Sequence, residues 1–194
     1  MESVFSAEEY SETVFEKLAF DREEIRNKVF QDCVFRKCDF SECDLTGTEF
    51  SDCRFESCRI NLSRFTNVSV KSMAFIDSKL VGIDFTRCTI NFFELTFEGC
   101  LMDACNFSGL PMAKTNFEGC TIRECLFGET DLRKAVFANC DLEGSSFHGT
   151  NLEEADFLSA RNYLIDPTAN KIEDARFSLP EAVSLLRAFK IKLS

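Results

Sequence analysis

Tryptophan is absent from the 194 residues, tyrosine occurs twice, and there is a single histidine. One histidine, His148, leaves one place where a nucleophilic triad could be built. Neither GxxxxGK[ST] nor GxGxxG occurs, so the glycine-rich loops that cradle phosphates are missing. Basic residues are also short: 22 Lys and Arg face 33 Asp and Glu, for a formal charge of −11. Nucleic acids and anionic membranes are bound through Lys and Arg, so this balance argues against both and favours a basic or zwitterionic partner. Nowhere do roughly 18 apolar residues follow one another. The first residues, MESVFSAEEYSETVFEKL, are acidic and carry no long apolar run, so no secretory signal is expected and a soluble, cytoplasmic protein is.

What the chain has in excess is phenylalanine, 22 residues, and cysteine, 11. Both fall on a five-residue period. Reading in fives from Phe30, one column runs Phe30, Phe35, Phe40, Leu45, Phe50 and Phe55, continues to Ile90 and Leu95, and contains no polar residue. Two positions upstream runs a second column of mostly small, uncharged residues: Cys33, Cys38, Cys43, Thr48, Cys53, Cys58, Ser63 and so on to Cys88 and Phe93. The period slips by two residues inside INFFELTFEGC and resumes at Phe97, from which Phe alternates with Leu, Ile or Met as far as Phe157. Its companion column begins Cys100, Cys105 and ends Thr150, Ala155.

A period of five is neither the 3.6 of a helix nor the 2 of a simple strand. A short extended segment followed by a two-residue turn produces it, with the apolar residue and the small residue two before it both facing inward. Four such segments close a coil of twenty residues, and stacked coils pair as parallel strands do, about 4.8 Å apart. Glycine placement agrees. Seven of the eight, all but Gly128, lie two residues after an apolar central residue, where a turn calls for positive φ. Phenylalanines on opposite sides of the coil then form ladders along one narrow core.

The same register places all eleven cysteines inside. Zinc sites need ligand pairs two to four residues apart, whereas neighbours here are five apart and lie on different sides of the coil. Cysteines twenty apart stack side by side, but their side chains point the same way and their number is odd, so free, buried thiols acting as small hydrophobes are expected. No metal, cofactor or small-molecule substrate is implied. His148 follows a central residue and belongs in an exposed turn, with no nucleophile and acid converging on it. The chain is not expected to be an enzyme, since a packed rod offers no built-in concave pocket.

The units CDFSE (38–42), CDLTG (43–47), CNFSG (105–109), TNFEG (115–119), CDLEG (140–144), TNLEE (150–154) and ADFLS (155–159) resemble the pentapeptide-repeat family. That resemblance implies an all-β solenoid, a right-handed quadrilateral β-helix. Residues 1–29 read as an irregular N-terminal capping coil, because the inward column would there hold Glu23 and Lys28. Residues 30–96 and 97–177 form two repeat stacks on either side of the slip, with a break at Asn162 and Pro167. Residues 178–194 read as a short α-helix and tail. Ser178 and Glu181 are spaced as a capping box, Pro180 fits a first turn, and Ala182, Leu185, Leu186 and Phe189 follow a helical period. Leu179, Val183 and Ile191 widen that apolar surface, which suits a two-fold, end-to-end homodimer.

Outward charge is uneven. Residues 97–157 hold eleven acidic and four basic residues, net −7. Glu98, Asp103, Glu118, Glu124, Asp141 and Glu143 form a candidate acidic ridge, with Asp103, Glu124, Asp141 and Glu143 on one side and Glu98 and Glu118 on the next. The tail and the acid-rich block look like the gyrase-interacting branch of the family, the quinolone-resistance and topoisomerase-poison immunity proteins. The likeness implies a DNA mimic that binds DNA gyrase or topoisomerase IV and protects it from quinolones or toxins. The alternative is a generic interaction scaffold with an unrelated partner, since the fold alone names no target.

Overall fold

Stacked coils of four pentapeptides each make up the chain, and the computed structural model describes residues 6–20, 25–189 and 191. The strands are short, such as Val34–Arg36, Arg59–Asn61 and Leu101–Asp103, with longer ones at Glu49–Glu56 and Ser69–Ile76. Every strand pair among the described residues is parallel, and outside two breaks the register is i to i+20: Phe30 lies opposite Phe50, Phe35 opposite Phe55 and Ile60 opposite Leu80. About eight coils stack in this β-solenoid, and one short helix follows.

Each coil uses its neighbour to satisfy its backbone. Asp39 N–H, for example, donates to Leu18 O and Phe40 N–H to Arg59 O, both at 2.8 Å, so successive peptide groups point alternately up and down the axis. Corners close with a hydrogen bond from the small residue back to the central one, as from Thr48 N–H to Leu45 O at 3.0 Å. The residue just before the small one takes positive φ, as the third residue of a type II turn does. Glycine occupies seven of these positions; at Gly144, φ is 72° and a Cβ would overlap the Glu124 carboxylate. Elsewhere Asp, Asn, Glu, Lys and Ser accept φ of 47 to 65°, at a cost of about 1 kcal/mol each, which the stacking of the whole coil outweighs.

Two long ring ladders run through the core, joined in the first coils by the shorter stacks Tyr10–Phe30–Phe50 and Phe20–Phe40. Phe15, Phe35, Phe55, Phe75, Phe97, Phe117, Phe137, Phe157 and Phe177 stack with centroids 4.7 to 5.4 Å apart. A second ladder of Phe65, Phe85, Phe107, Phe127 and Phe147 runs opposite, and the two meet edge to face, as at Phe97 and Phe107, 5.8 Å apart at 78°. Both geometries match the quadrupole of the ring.

All eleven cysteines are free and buried. Size is only part of their role. The thiol or hydroxyl of the small column points at the carbonyl of the central residue 23 positions earlier: Cys58 Sγ to Phe35 O at 3.2 Å, Cys140 Sγ to Phe117 O at 2.8 Å, Ser63 Oγ to Phe40 O at 2.6 Å and Thr150 Oγ1 to Phe127 O at 2.7 Å. Cysteine, serine and threonine share one column because each is compact and carries a donor.

Several details differ from the sequence reading. Paired strands begin before Phe30, since Tyr10 already lies opposite Phe30 and Phe15 opposite Phe35. Of the two charges expected inside, Glu23 lies outside the described residues, and Lys28 is half-buried with its ammonium bonded to Ala7 O at 2.7 Å. At the slip the ladder continues unbroken with its offset raised to 22, so Phe75 faces Phe97 and Leu95 faces Met73. Leu95 therefore occupies the small column, and Ile90, expected inside, is 61% exposed. The two extra residues are looped out here, and Phe93 packs against the core instead. At the second break Tyr163 and Ile165 fill the places that Asn162 and Pro167 leave, with Ile165 opposite Phe147.

The terminal helix runs from Glu181 to Phe189 in the tighter 3-10 form rather than as an α-helix, and the Leu179–Pro180 peptide before it is cis. Ser178 and Glu181 do not form a capping box. They cap the rod: Ser178 Oγ accepts from Ser159 N–H at 3.1 Å and Glu181 Oε1 from Asn162 N–H at 2.7 Å, donors that no further coil would satisfy. Most of the extended tail expected beyond Phe189 lies outside the described residues.

Burial pushes the thiols of Cys53, Cys88 and Cys140 up to about 12, so these three hold little reactive thiolate at neutral pH, and burial shields all eleven from solvent. Titration with a thiol reagent at pH 8 is expected to label none of the eleven promptly in the native protein and all of them in denaturant. Separately, Thr150→Val, which keeps the shape but leaves Phe127 O with only the 3.3 Å hydrogen bond from Thr130 N–H, is expected to lower unfolding free energy in urea by about 0.5–1.5 kcal/mol. Thr150→Ser is expected to stay close to wild type.

Candidate partner-binding surfaces

Outward columns are fixed by the coil register, so a residue's neighbours on the surface are those 20 positions away. In the first stack these columns pair acids with bases between rungs: Arg59 with Asp39 at 3.2 Å, Arg64 with Asp44 at 3.1 Å and Arg36 with Glu56 at 2.9 Å. Exposed pairs of this kind contribute little stability, about 0–1 kcal/mol each. Their consequence is electrostatic, because they neutralise most of this part of the surface.

The predicted acidic ridge is divided by the fold. Glu98 and Glu118 are exposed on successive rungs of one side, where the Gly99 N–H donates to Glu118 O at 3.2 Å. Glu124 is exposed, its carboxylate lying over Gly144. Asp103, half-buried, sits directly opposite Arg123, whose Nε is 3.6 Å from Glu143 Oε2, so the column reads acid, base, acid. Asp141 leaves the ridge altogether. It is 7% exposed, accepts from Asn162 Nδ2 at 2.8 Å and pairs with Arg161 at 3.2 Å. The Asn162 hydrogen bond first, and then the Arg161 guanidinium, hold its carboxyl below the usual carboxylate range. Asp141 ties the last full coil to the residues that carry the terminal helix.

The predicted dimerisation residues also separate. Leu185 packs against the core and Ala182 is half-buried, whereas Leu179, Val183, Leu186, Phe189 and Ile191 are exposed, with Val183, Leu186 and Ile191 lining one depression at the end of the rod. A second apolar surface was not anticipated. It is the loop at the register slip, where Phe92 is 83% exposed beside Ile90. The slip itself was visible in INFFELTFEGC, but which of its residues would be expelled depended on the packing of the coils above and below.

His148 is exposed, as its turn position requires. Among the described residues, no three His, Cys, Asp or Glu side chains come together as metal ligands, and no helix is long and apolar enough to cross a membrane.

These features define a repeat protein whose only variable chemistry is on its outer columns. The pentapeptide repeat region family model matches residues 25–95 and 89–157, and the chain belongs to that family. No curated protein sequence matches it. Among solved structures it is similar to HetL, a pentapeptide repeat protein involved in heterocyst differentiation regulation from the cyanobacterium Nostoc sp. strain PCC 7120, at 14% identity and TM-score 0.61, covering 86% of this chain and 84% of that one. It is also similar to QnrB1, a plasmid-mediated fluoroquinolone resistance protein solved as its trypsin-treated M102R form, at 17% identity and TM-score 0.52, covering 98% and 93%. At these identities the likeness is one of fold.

Asp141→Asn is expected to lower stability by about 1.5–3 kcal/mol at neutral pH by removing charged hydrogen bonds. Because the folded carboxyl titrates below its unfolded value near 3.9, the contribution is present above that value and lost as pH falls through the folded one. The gap between wild type and variant in urea denaturation should therefore be full above pH 5 and close toward pH 2.

Proposed function

We propose that this chain is a non-enzymatic, cytoplasmic binding protein that presents its acid-rich rod to the DNA-binding surface of a type II topoisomerase, DNA gyrase or topoisomerase IV, and protects it from quinolones or poisoning toxins. The observation that carries this reading is the distribution of charge: Arg36, Arg59 and Arg64 are engaged in rung-to-rung pairs in the first stack, while Glu98, Glu118 and Glu124 stand exposed and without an ion pair among the described residues. Eight coils at about 4.8 Å span roughly 40 Å, and end-to-end pairing through Leu179, Val183, Leu186, Phe189 and Ile191 doubles that length. A homodimer of this kind offers carboxylates along a rod where the enzyme reads phosphates, and long-range attraction speeds the encounter. The fold shared with QnrB1, a fluoroquinolone resistance protein, supports the choice of target.

A second reading, an interaction scaffold for an unrelated regulatory partner, draws on the likeness to HetL, which has the higher TM-score.

Purified gyrase separates the two. The protein is expected to reduce quinolone- or toxin-induced DNA cleavage or to alter supercoiling, and Glu98→Lys/Glu118→Lys/Glu124→Lys is expected to weaken the effect at least tenfold. No binding and no effect on cleavage or supercoiling would leave the scaffold reading. Light scattering at micromolar concentration should report a dimer that Leu186→Glu/Phe189→Glu converts to monomer.

A further inference from the structure

A rod of equal rungs poses a problem for any partner that reads only its charge. Similar side chains recur every 4.8 Å or so along the axis, so a basic groove accepts the rod in several axial positions with nearly equal numbers of charge pairs. A single docked position requires a feature that occurs once. The looped-out residues at the register slip are such a feature.

Phe92 sits at φ 58° at a corner and is 83% exposed, and Ile90 beside it is 61% exposed. Phe92 and, from the next coil, exposed Pro111 and Ala113 with Lys114 at the rim wall a depression of about 390 Å³. Nothing in the packing calls for an aromatic ring here, because Phe93 supplies the core contact and Phe92 faces solvent. On the adjoining side of the same coil begins the exposed acidic strip of Glu98 and Glu118.

We propose that Phe92, flanked by Ile90, is the anchor that sets the axial position of the rod on its partner, a protein whose basic groove carries an apolar pocket in its wall. The inference rests on the topoisomerase reading above, and the acidic strip beside the ring argues for that occupant. Binding energy in protein interfaces concentrates in a few desolvated aromatic anchors, while surrounding charges govern encounter rate and selectivity. The strip brings the rod to the groove, and the ring stops it at one rung.

The test uses DNA gyrase and the full chain carrying a benzophenone amino acid at Ala138, on the strip side one rung beyond Glu118. In this background the photo-crosslink is expected on one gyrase peptide. Ile90→Ser/Phe92→Ser is expected to weaken binding tenfold or more through faster dissociation, with association within about twofold, and to spread the crosslink over several peptides. Phe92→Leu, still apolar, should keep most of the affinity, and thermal unfolding of all variants should match the parent because the altered side chains are exposed. If the double Ser variant binds and crosslinks like the parent while Glu98→Lys/Glu118→Lys binds poorly, the anchor is wrong and the topoisomerase reading stands. If the parent does not bind gyrase at all, both fall together.

Discussion

The rest of the molecule depends on one constraint, the hydrogen bonding of each coil's backbone to the coil twenty residues away. A peptide that makes no bonds within its own pentapeptide must find them above and below, and it does so most simply when successive coils have the same length, extra residues being looped out where they do not. That requirement makes each residue part of a column. A side chain pointing inward must be apolar or a small donor in coil after coil, because the site above and the site below have the same shape. The phenylalanine ladders and the column of cysteine, serine and threonine are two consequences of this single periodicity, one filling the axis and the other satisfying carbonyls that face it.

The same constraint governs the surface. Outward residues meet their neighbours twenty positions away, so Arg59 finds Asp39 and Arg36 finds Glu56 across a rung rather than along the chain. Charge is thereby sorted into paired and unpaired columns, and recognition is confined to the unpaired ones and to places where the period fails. Three such places exist among the described residues: the loop at Ile90 to Phe92, the corner around Tyr163, and the end of the stack. At the end, Ser178 and Glu181 supply acceptors for Ser159 and Asn162, and Asp141 holds Asn162 and Arg161 from the coil above. The helix is therefore joined to the rod by these polar contacts and by Leu185, and leaves Val183, Leu186 and Phe189 exposed.

Much of this was legible without coordinates. A five-residue period with no polar member in the apolar column, and with glycines gathered at one offset, admits few physical explanations, and the coil length and burial of the thiols follow from it. The acidic ridge was only partly legible. Register placed Glu98 above Glu118, but Asp141 looks equivalent to any other outward acid until Asn162 drops out of the core and turns its amide toward it. Ile90 likewise kept the apolar pattern in the sequence. Ile90 is exposed while Phe93 packs against the core, a choice that no count of fives resolves.

By itself, then, the amino-acid order determined everything that repeats: the coil, its core columns, its turns and the sign of its surface, because a repeated pattern is read from its own internal agreement. Tertiary structure alone decided what happens once. Which residues leave the core at the slip, which acid is withdrawn into an ion pair, and which capping side chains serve the rod instead of the helix are settled by contacts between segments about twenty residues apart. Those contacts depend on the exact space left by neighbouring coils.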